Sequence, residues 1–307
     1  MSQSCRIAFL VPTRHRPSDL TVLLESFVQQ TRSPDLVMII DGGDDGQTVE
    51  GFVGRYPNLN ISYIRVNPPG LTKQRNAGLD ALPEDISFVG FLDDDIELMP
   101  DAIEVMMAFW QSASPDFGGA SFNIVNNMDN RPTLLKRFFF INGTRGGTVL
   151  KSGFNVMLQP VERDTETEWL SGGATVWRSG IFNQHRFEEK YGGYGHFDDL
   201  DFCFSLYRTH RMIVLKKAKV LHHDRQVRRD KVRAFGESDV LFRYMFVKRF
   251  GLSFLAFYWA TFGITLIFIL SGIRHMDRSK FEQAFGHIDG LIQIFRGTNT
   301  VTAIDIK

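Results

Sequence analysis

The first hundred residues alternate short apolar runs with longer amphipathic ones. Residues 6–11 (RIAFLV), 36–40 (LVMII), 61–66 (ISYIRV) and 86–92 (ISFVGFL) are rich in β-branched and aromatic side chains, the pattern of strands. Between them, residues 18–30 place Leu20, Leu23, Leu24 and Phe27 on one helical face, with Ser18 available as a cap. Residues 71–82 (LTKQRNAGLDAL) make a second helical pattern. Strands alternating with helices predict a parallel sheet, and ligands of such sheets gather at the carboxyl ends of the strands.

Beyond about residue 112 the order becomes mixed. Residues 117–125 and 172–178 read as strands, the latter leading into a short helix, and 198–210 as a helix. Residues 211–223 (RMIVLKKAKVLHH) read as one or two short strands. Residues 131–150 read as a basic, aromatic, glycine-containing loop region in which LLKRFFF is either a contact for lipid or acceptor or a core strand with a solvated edge. From Phe250 to Ile273 no residue is charged, which meets the usual length for a membrane span. A buried helical hairpin broken near Gly263 is the competing reading. Residues 279–296 return to helical spacing and suit a membrane surface.

Composition narrows the function classes. Hydrophobic residues make up 43% and charged residues 23% of the 307, so the chain is globular rather than disordered. The 35 basic and 35 acidic residues balance, which leaves no global field for nucleic acid and makes any electrostatic function local. Cys5 and Cys203 lack metal-type spacing and read as plain thiols in a reducing compartment. The apolar stretch near the N-terminus is too short for a secretory signal.

The expected strand ends carry conspicuous residues: PTRHRP, DGGDDG and the triplet Asp93–Asp94–Asp95. Like charges repel, so three carboxylates after an apolar run need a reason to crowd. If the chain stays extended, Asp93 and Asp95 point the same way and can share a hard cation such as Mg²⁺ or Mn²⁺. The triplet also reads as a solvated cap for a helix starting near Pro100. A second acidic cluster, Asp198, Asp199 and Asp201, follows the glycine-rich YGGYGHF and suits either a general base or helix capping. Asp199 and Asp201 cannot share a helical face. His222 and His223 end an apolar strand, one facing inward and one away. Lys73, Arg75 and Asn76 near a helix start hint at an anionic partner, and Asp41 could accept hydrogen bonds from a nucleobase or ribose.

Taken together, these stretches resemble family 2 glycosyltransferases, inverting nucleotide-sugar enzymes of the GT-A fold. The resemblance runs from Ile7 to His222 through FLVPTRHRPSDLTVLLESFVQQT, VMIIDGGDDG, GLTKQRNAGLD, VGFLDDDIEL, WLSGGATVWRSG, GGYGHFDDLDFCFSLYR and AKVLHH. It implies an α/β fold with a Rossmann-like mixed sheet flanked by helices, plus a C-terminal hydrophobic helical extension. The expected division is a transferase domain over 1–235, with a nucleotide-binding half about 1–112 and an acceptor-binding half about 113–235, then a membrane-associated region over 236–307.

The resemblance also implies roles. Pro12, Thr13 and Arg14 would line the nucleotide pocket, Asp41 would contact the base, and Arg75, with Asn76 beside it, would face the ribose or diphosphate. Asp93 and Asp94 would lie at the nucleotide sugar, with Asp95 and His222 on the metal. Trp169, Gly172 and Gly173 would border sugar and acceptor. Asp199 would be the base, with Asp198 standing where the family has Glu. The implied activity moves a hexosyl group from a nucleotide-diphosphate sugar to a hydroxyl of a glycan or lipid-linked acceptor, with Mg²⁺ or Mn²⁺. That suits polysaccharide synthesis at the cytoplasmic membrane face, through peripheral or single-span attachment by 250–273. The rivals are a silent nucleotide-sugar or glycan binding protein and a nucleotidyltransferase, although the latter's glycine-rich loop is absent from VPTRHRP. No GxxxxGK[ST] loop or HExxH motif occurs.

Overall fold

Strands that are buried on both faces read as unbroken apolar runs, and the first two expected strands are of this kind. In the computed structural model, which describes residues 5–43, 51, 53–127, 133–158, 160–190, 197–223 and 231–297, every residue of β1 (Ile7–Thr13) and β2 (Leu36–Asp41) is buried. With β3 (Ile61–Arg65) and β4 (Phe88–Leu92) they form a parallel set ordered β3-β2-β1-β4. The sheet then turns mixed. β8 (Ala174–Arg178) lies antiparallel to both β4 and β6 (Phe117–Ile124), and β6 runs parallel to β9 (Arg211–His222). The short strands β5 (Ile96–Leu98) and β7 (Thr165–Thr167) both pair antiparallel with β9. The expected mixed sheet flanked by helices is present.

One face of β1 (Ile7, Phe9, Val11) is covered by α1 (Pro17–Val28) and α3 (Ala102–Ser112), through Leu20, Leu24, Phe27, Ile103 and Met106. On the other face α2 (Leu71–Asp80) lies so close that a Cβ on Gly78 would sit 2.3 Å from Ile40. Helix α5 (Asp198–Leu206) is fixed by Phe202, whose ring lies 5.0 Å from Trp177 and 4.6 Å from Phe187. Burying such a ring contributes about 1.5–3 kcal/mol, which anchors the acidic start of α5.

Several local expectations change. Ser18 does not cap α1, because Pro17 begins the helix and Arg16 takes the N-cap position. The chain turns at 93–95 instead of staying extended, and β5, not anticipated from the sequence, follows at once. The third helix does start near Pro100, at Ala102. Residues 211–222 form one continuous strand. The helix expected over 198–210 ends at Leu206, where Tyr207, Thr209 and His210 already close turns. Asp44–Gly46 of DGGDDG and 191–196 of the glycine-rich run lie outside the described residues.

The chain divides into two compact units. The first takes in 1–129, 158–189 and 198–224, and the second 130–157, 190–197 and 225–307. In the second, α4 (Leu134–Phe138) accompanies three long helices, α6 (Val232–Arg249), α7 (Phe254–His275) and α8 (Arg278–Arg296). Helix α7 is continuous, so the hairpin reading is wrong. Gly263 is a notch rather than a break: a Cβ there would lie 2.1 Å from the Phe139 ring. Gly263→Val should therefore displace Phe139 and cost about 1–3 kcal/mol, measurable by urea unfolding; an unchanged midpoint would show that the notch is not tight.

Candidate active site

The parallel strand order reverses between β1 and β4, the position where sheets of this type open a crevice. The carboxyl ends of those two strands bring Thr13 beside the aspartate triplet. The Thr13 hydroxyl donates to Asp94 Oδ2 at 2.7 Å. Arg16 Nη1 donates to Asp94 Oδ1 and Asp95 Oδ2, both at 3.1 Å. The turn is closed by the Ile96 amide donating to the Asp93 carbonyl at 3.2 Å, while the Asp93 amide donates to Gly173 O at 3.0 Å. Asp94 thus ties the turn to the end of β1 and the start of α1. Arg16 was not singled out from the sequence; its place in PTRHRP, two residues beyond Arg14, is the signal that could have found it.

The turn leaves Asp93 and Asp95 facing His222, which stands on β9 opposite Ile96 of β5. One ligand atom from each of the three lies within 4.8 Å of the others. Asp95 is 6% exposed, and its buried Oδ1 has no aligned hydrogen-bond donor although His222 Nε2 is 3.1 Å away. Burial pushes against the charged Asp95 carboxylate, but His222 and Arg16 outweigh it and hold its pKa below the usual range. An orphaned buried carboxylate oxygen beside a second carboxylate and an imidazole fits a divalent cation such as Mn²⁺. The neighbouring His223 turns to Glu97 at 2.8 Å, on the opposite side.

Arg75 organises the other half of the site. It is 2% exposed, with the Phe91 and Phe187 rings 5.7 and 5.3 Å away. Its guanidinium donates to Asp198 Oδ2 at 2.5 Å, to Gly172 O at 3.1 Å and to Asp93 Oδ1 at 3.4 Å. Desolvation opposes its charge, yet Asp198, Asp93 and Asp199 together raise its pKa. The guanidinium is directed at the acidic residues of the candidate site itself. Asn76, next to it, exchanges hydrogen bonds with the Phe187 backbone at 3.0 and 3.1 Å.

Asp198 and Asp199 differ in setting. Asp198 is 3% exposed, and burial, reinforced by Asp199 and Asp93 against the pull of Arg75, pushes its pKa up to about 7. One guanidinium does not neutralise three carboxylates, so one of them keeps its proton toward neutrality. Asp199 is half-buried, with Oδ2 accepting from the Gly172 amide at 3.1 Å and Oδ1 from the Leu200 amide at 2.7 Å. The paired glycines make this crowding possible. A Cβ on Gly172 would sit 2.8 Å from Asp199, and one on Gly173 2.2 Å from Asp93.

The remaining expected residues occupy the rim and its supports. Pro12 and Asp41 are fully buried at the ends of β1 and β2, and Arg14 is half-buried. Asp41 accepts from the Tyr63 hydroxyl at 3.0 Å and from the Gly43 amide at 2.7 Å. Trp169 is buried, and its carbonyl accepts from the Thr167 hydroxyl at 2.8 Å. Gln74, also not anticipated, bridges the strand ends by donating to Thr13 O at 3.0 Å and Ile40 O at 2.6 Å.

This mixed sheet has solved counterparts. The mannosyltransferase PcManGT from Pyrobaculum calidifontis, in complex with GDP-Man and Mn²⁺, superposes with a TM-score of 0.59 at 12% identity, covering 95% of this chain and 88% of that one. S. aureus TarS superposes with a TM-score of 0.52 at 16% identity, over 92% of this chain but only 55% of TarS, and its 1–349 segment has been solved with UDP-GlcNAc. These likenesses show the GT-A fold. The model of Glycosyl transferase family 2 matches residues 8–183, more than half of the chain, and the chain belongs to that family. The minor teichoic acid biosynthesis protein GgaA of Bacillus subtilis (strain 168) is 29% identical over 109 residues, which are 34% of this chain and 24% of that protein. The matched stretch therefore spans about a quarter of that curated relative.

Two outcomes follow from the burial of this site. A raised Asp198 means the folded chain keeps a proton that the unfolded chain releases between 3.8 and about 7. Its stabilising contribution is complete at low pH and is lost as pH rises through about 7. Asp198→Asn should flatten that part of the stability-against-pH profile in urea unfolding; an unaltered slope would count against it. Burial also raises the Cys203 thiol, which should resist alkylation until the chain is unfolded, while half-buried Cys5 reacts first. Mass spectrometry after timed labelling reads the order.

Proposed function

We propose that this family 2 glycosyltransferase moves a hexosyl group from a nucleotide-diphosphate sugar to a hydroxyl of a glycan or lipid-linked acceptor, with inversion at the anomeric carbon. The observation that carries the reading is the gathering of Asp93, Asp95 and His222 on one side of Gly172–Gly173 and Asp199 on the other. GDP-Man and UDP-GlcNAc in the solved relatives support the donor class, and GgaA supports a role in cell-surface polysaccharide synthesis.

Asp199 is the group to accept the acceptor's proton. It is the more exposed of the acidic pair, and two backbone amides orient it. As the proton passes to Asp199, the acceptor oxygen bonds to the anomeric carbon from the face opposite the diphosphate. The bond between that carbon and the diphosphate oxygen breaks, and its electron pair leaves with the nucleotide. Arg75 is a positioning residue: it fixes Asp198, Asp93 and the Gly172 carbonyl, and so the spacing between base and acidic triplet. Asp95 and His222, with Asp93 alongside, would hold Mn²⁺ or Mg²⁺, which when bound supplies positive charge opposite the leaving diphosphate. Thr13, Arg14 and Asp41 at the strand ends are assigned to the nucleotide, and Trp169 to the sugar and acceptor side.

The domain assignment follows from the same reading. Residues to about 112 bind the nucleotide, and those from about 113 to 235 shape the acceptor side. Residues 236–307 attach the enzyme to the cytoplasmic membrane face; the second compact unit, 130–157, 190–197 and 225–307, supports moving 130–157 from the acceptor side to that region. Helix α7, with mean hydropathy 1.9, is long and apolar enough for membrane contact.

A panel of nucleotide sugars with Mn²⁺ should yield nucleoside diphosphate. Asp95→Asn should abolish the metal-dependent release, and Asp199→Asn should retain donor binding while lowering transfer about 10²–10⁴-fold. Normal transfer rates in either variant would remove that residue from the mechanism.

A further inference from the structure

The second unit carries an apolar surface out of proportion to its size. Among the described residues, every exposed large hydrophobic residue except Val22 and Val28 lies in it, with Leu134 82% and Leu255 85% exposed. Part of this surface is a wide groove of about 1030 Å³ along the first turns of α7, lined by Phe140, Leu150, Leu255, Trp259 and Phe262, with Lys151 as its charged residue. Single exposed apolar residues are ordinary, but a contiguous set of aromatic and leucine side chains marks an interaction surface.

Two features say what covers it. The first is the way α4 is fastened to α7. The Phe139 ring fills the Gly263 notch, and Trp259 Nε1 donates to Phe138 O at 2.9 Å. That clamp leaves Leu134, Leu135 and Phe138 facing outward. The second is charge. The sequence from Arg131 to Val161 contains no acidic residue, while Lys136, Arg137, Arg145 and Lys151 stand on it. Apolar side chains with a collar of cations complement an anionic lipid surface.

The packing of α7 also decides how it meets that surface. α8 runs along its length, from Phe281 against Gly272 to Phe295 stacked on Tyr258 at 5.9 Å. Midway, the Thr265 hydroxyl meets His287 Nδ1 at 3.0 Å. α8 carries Glu282 and Asp289, and Asp289 pairs with Arg233 of α6 at 2.6 Å. Threading α7 through a bilayer would drag these charges into hydrocarbon, where each is strongly disfavoured.

We infer that the second unit docks side-on to an anionic membrane leaflet, inserting α4 and the exposed side of α7 without crossing it, with Lys136, Arg137, Arg145 and Lys151 at the lipid phosphates. This rests on the membrane attachment proposed above and specifies its form. The apolar groove takes lipid chains, and the basic collar sets the preference for negative headgroups.

Flotation of the full chain with phosphatidylcholine vesicles, with and without phosphatidylglycerol, tests it. The wild type should float with the anionic vesicles and be released by alkaline carbonate. Leu134→Glu/Leu135→Glu should lower the bound fraction about tenfold with unchanged thermal unfolding, since both side chains are exposed. Lys136→Glu/Arg137→Glu should remove the anionic preference. If the α4 variants float like wild type, or carbonate fails to release the chain, the side-on docking is wrong while membrane attachment stands. If the wild type floats with neither vesicle, both fall.

Discussion

One buried guanidinium holds the acidic cluster of the first unit together. Arg75 lies beneath the crevice with almost no access to water, and a lone charge in that position would be prohibitively costly. It is tolerated because Asp198, Asp93 and the Gly172 carbonyl surround it. Those same groups could not crowd together without a cation among them. The constraint is mutual, and it welds three distant segments into one rigid seat: α2, the loop after β4, and the junction of the β8 approach with α5.

Beside that seat, Asp95 retains a buried oxygen with no aligned donor, and one ligand atom from each of Asp93, Asp95 and His222 lies within 4.8 Å of the others. The GT-A frame explains why these groups meet here, since the strand-order reversal between β1 and β4 opens the sheet where Thr13, Arg16 and the triplet converge. The second unit obeys a different rule. Arg233 of α6 pairs with Asp289 of α8, while large apolar side chains such as Leu134 and Leu255 stay exposed.

Much of the frame was legible in the chain. The alternating strand and helix patterns located β1 to β4 with α1 and α2; β1, β2 and β4 are buried along their whole length, and half-buried β3 was marked by its β-branched and aromatic residues. The acidic triplet, His222 and the pair Asp198–Asp199 stood out because charge beside apolar strand ends is unusual. What could not be read was partnership. The protein partners of Arg75 lie up to 123 positions away, and no local pattern encodes such a pair. The hydrogen bonds from Thr13 and Arg16 to Asp94 likewise join segments that no local pattern links. Gly263 looked like a helix break, since its reason is the ring of Phe139 rather than anything in α7.

The claim that the acidic crevice seats a dication through both carboxylate and imidazole can be measured directly by electron spin-echo spectroscopy of Mn²⁺ bound with a nucleoside diphosphate. Nitrogen modulation from a coordinated imidazole should appear in the wild-type chain and vanish in His222→Ala. Modulation that persists in His222→Ala, or is absent from the wild type, would contradict it.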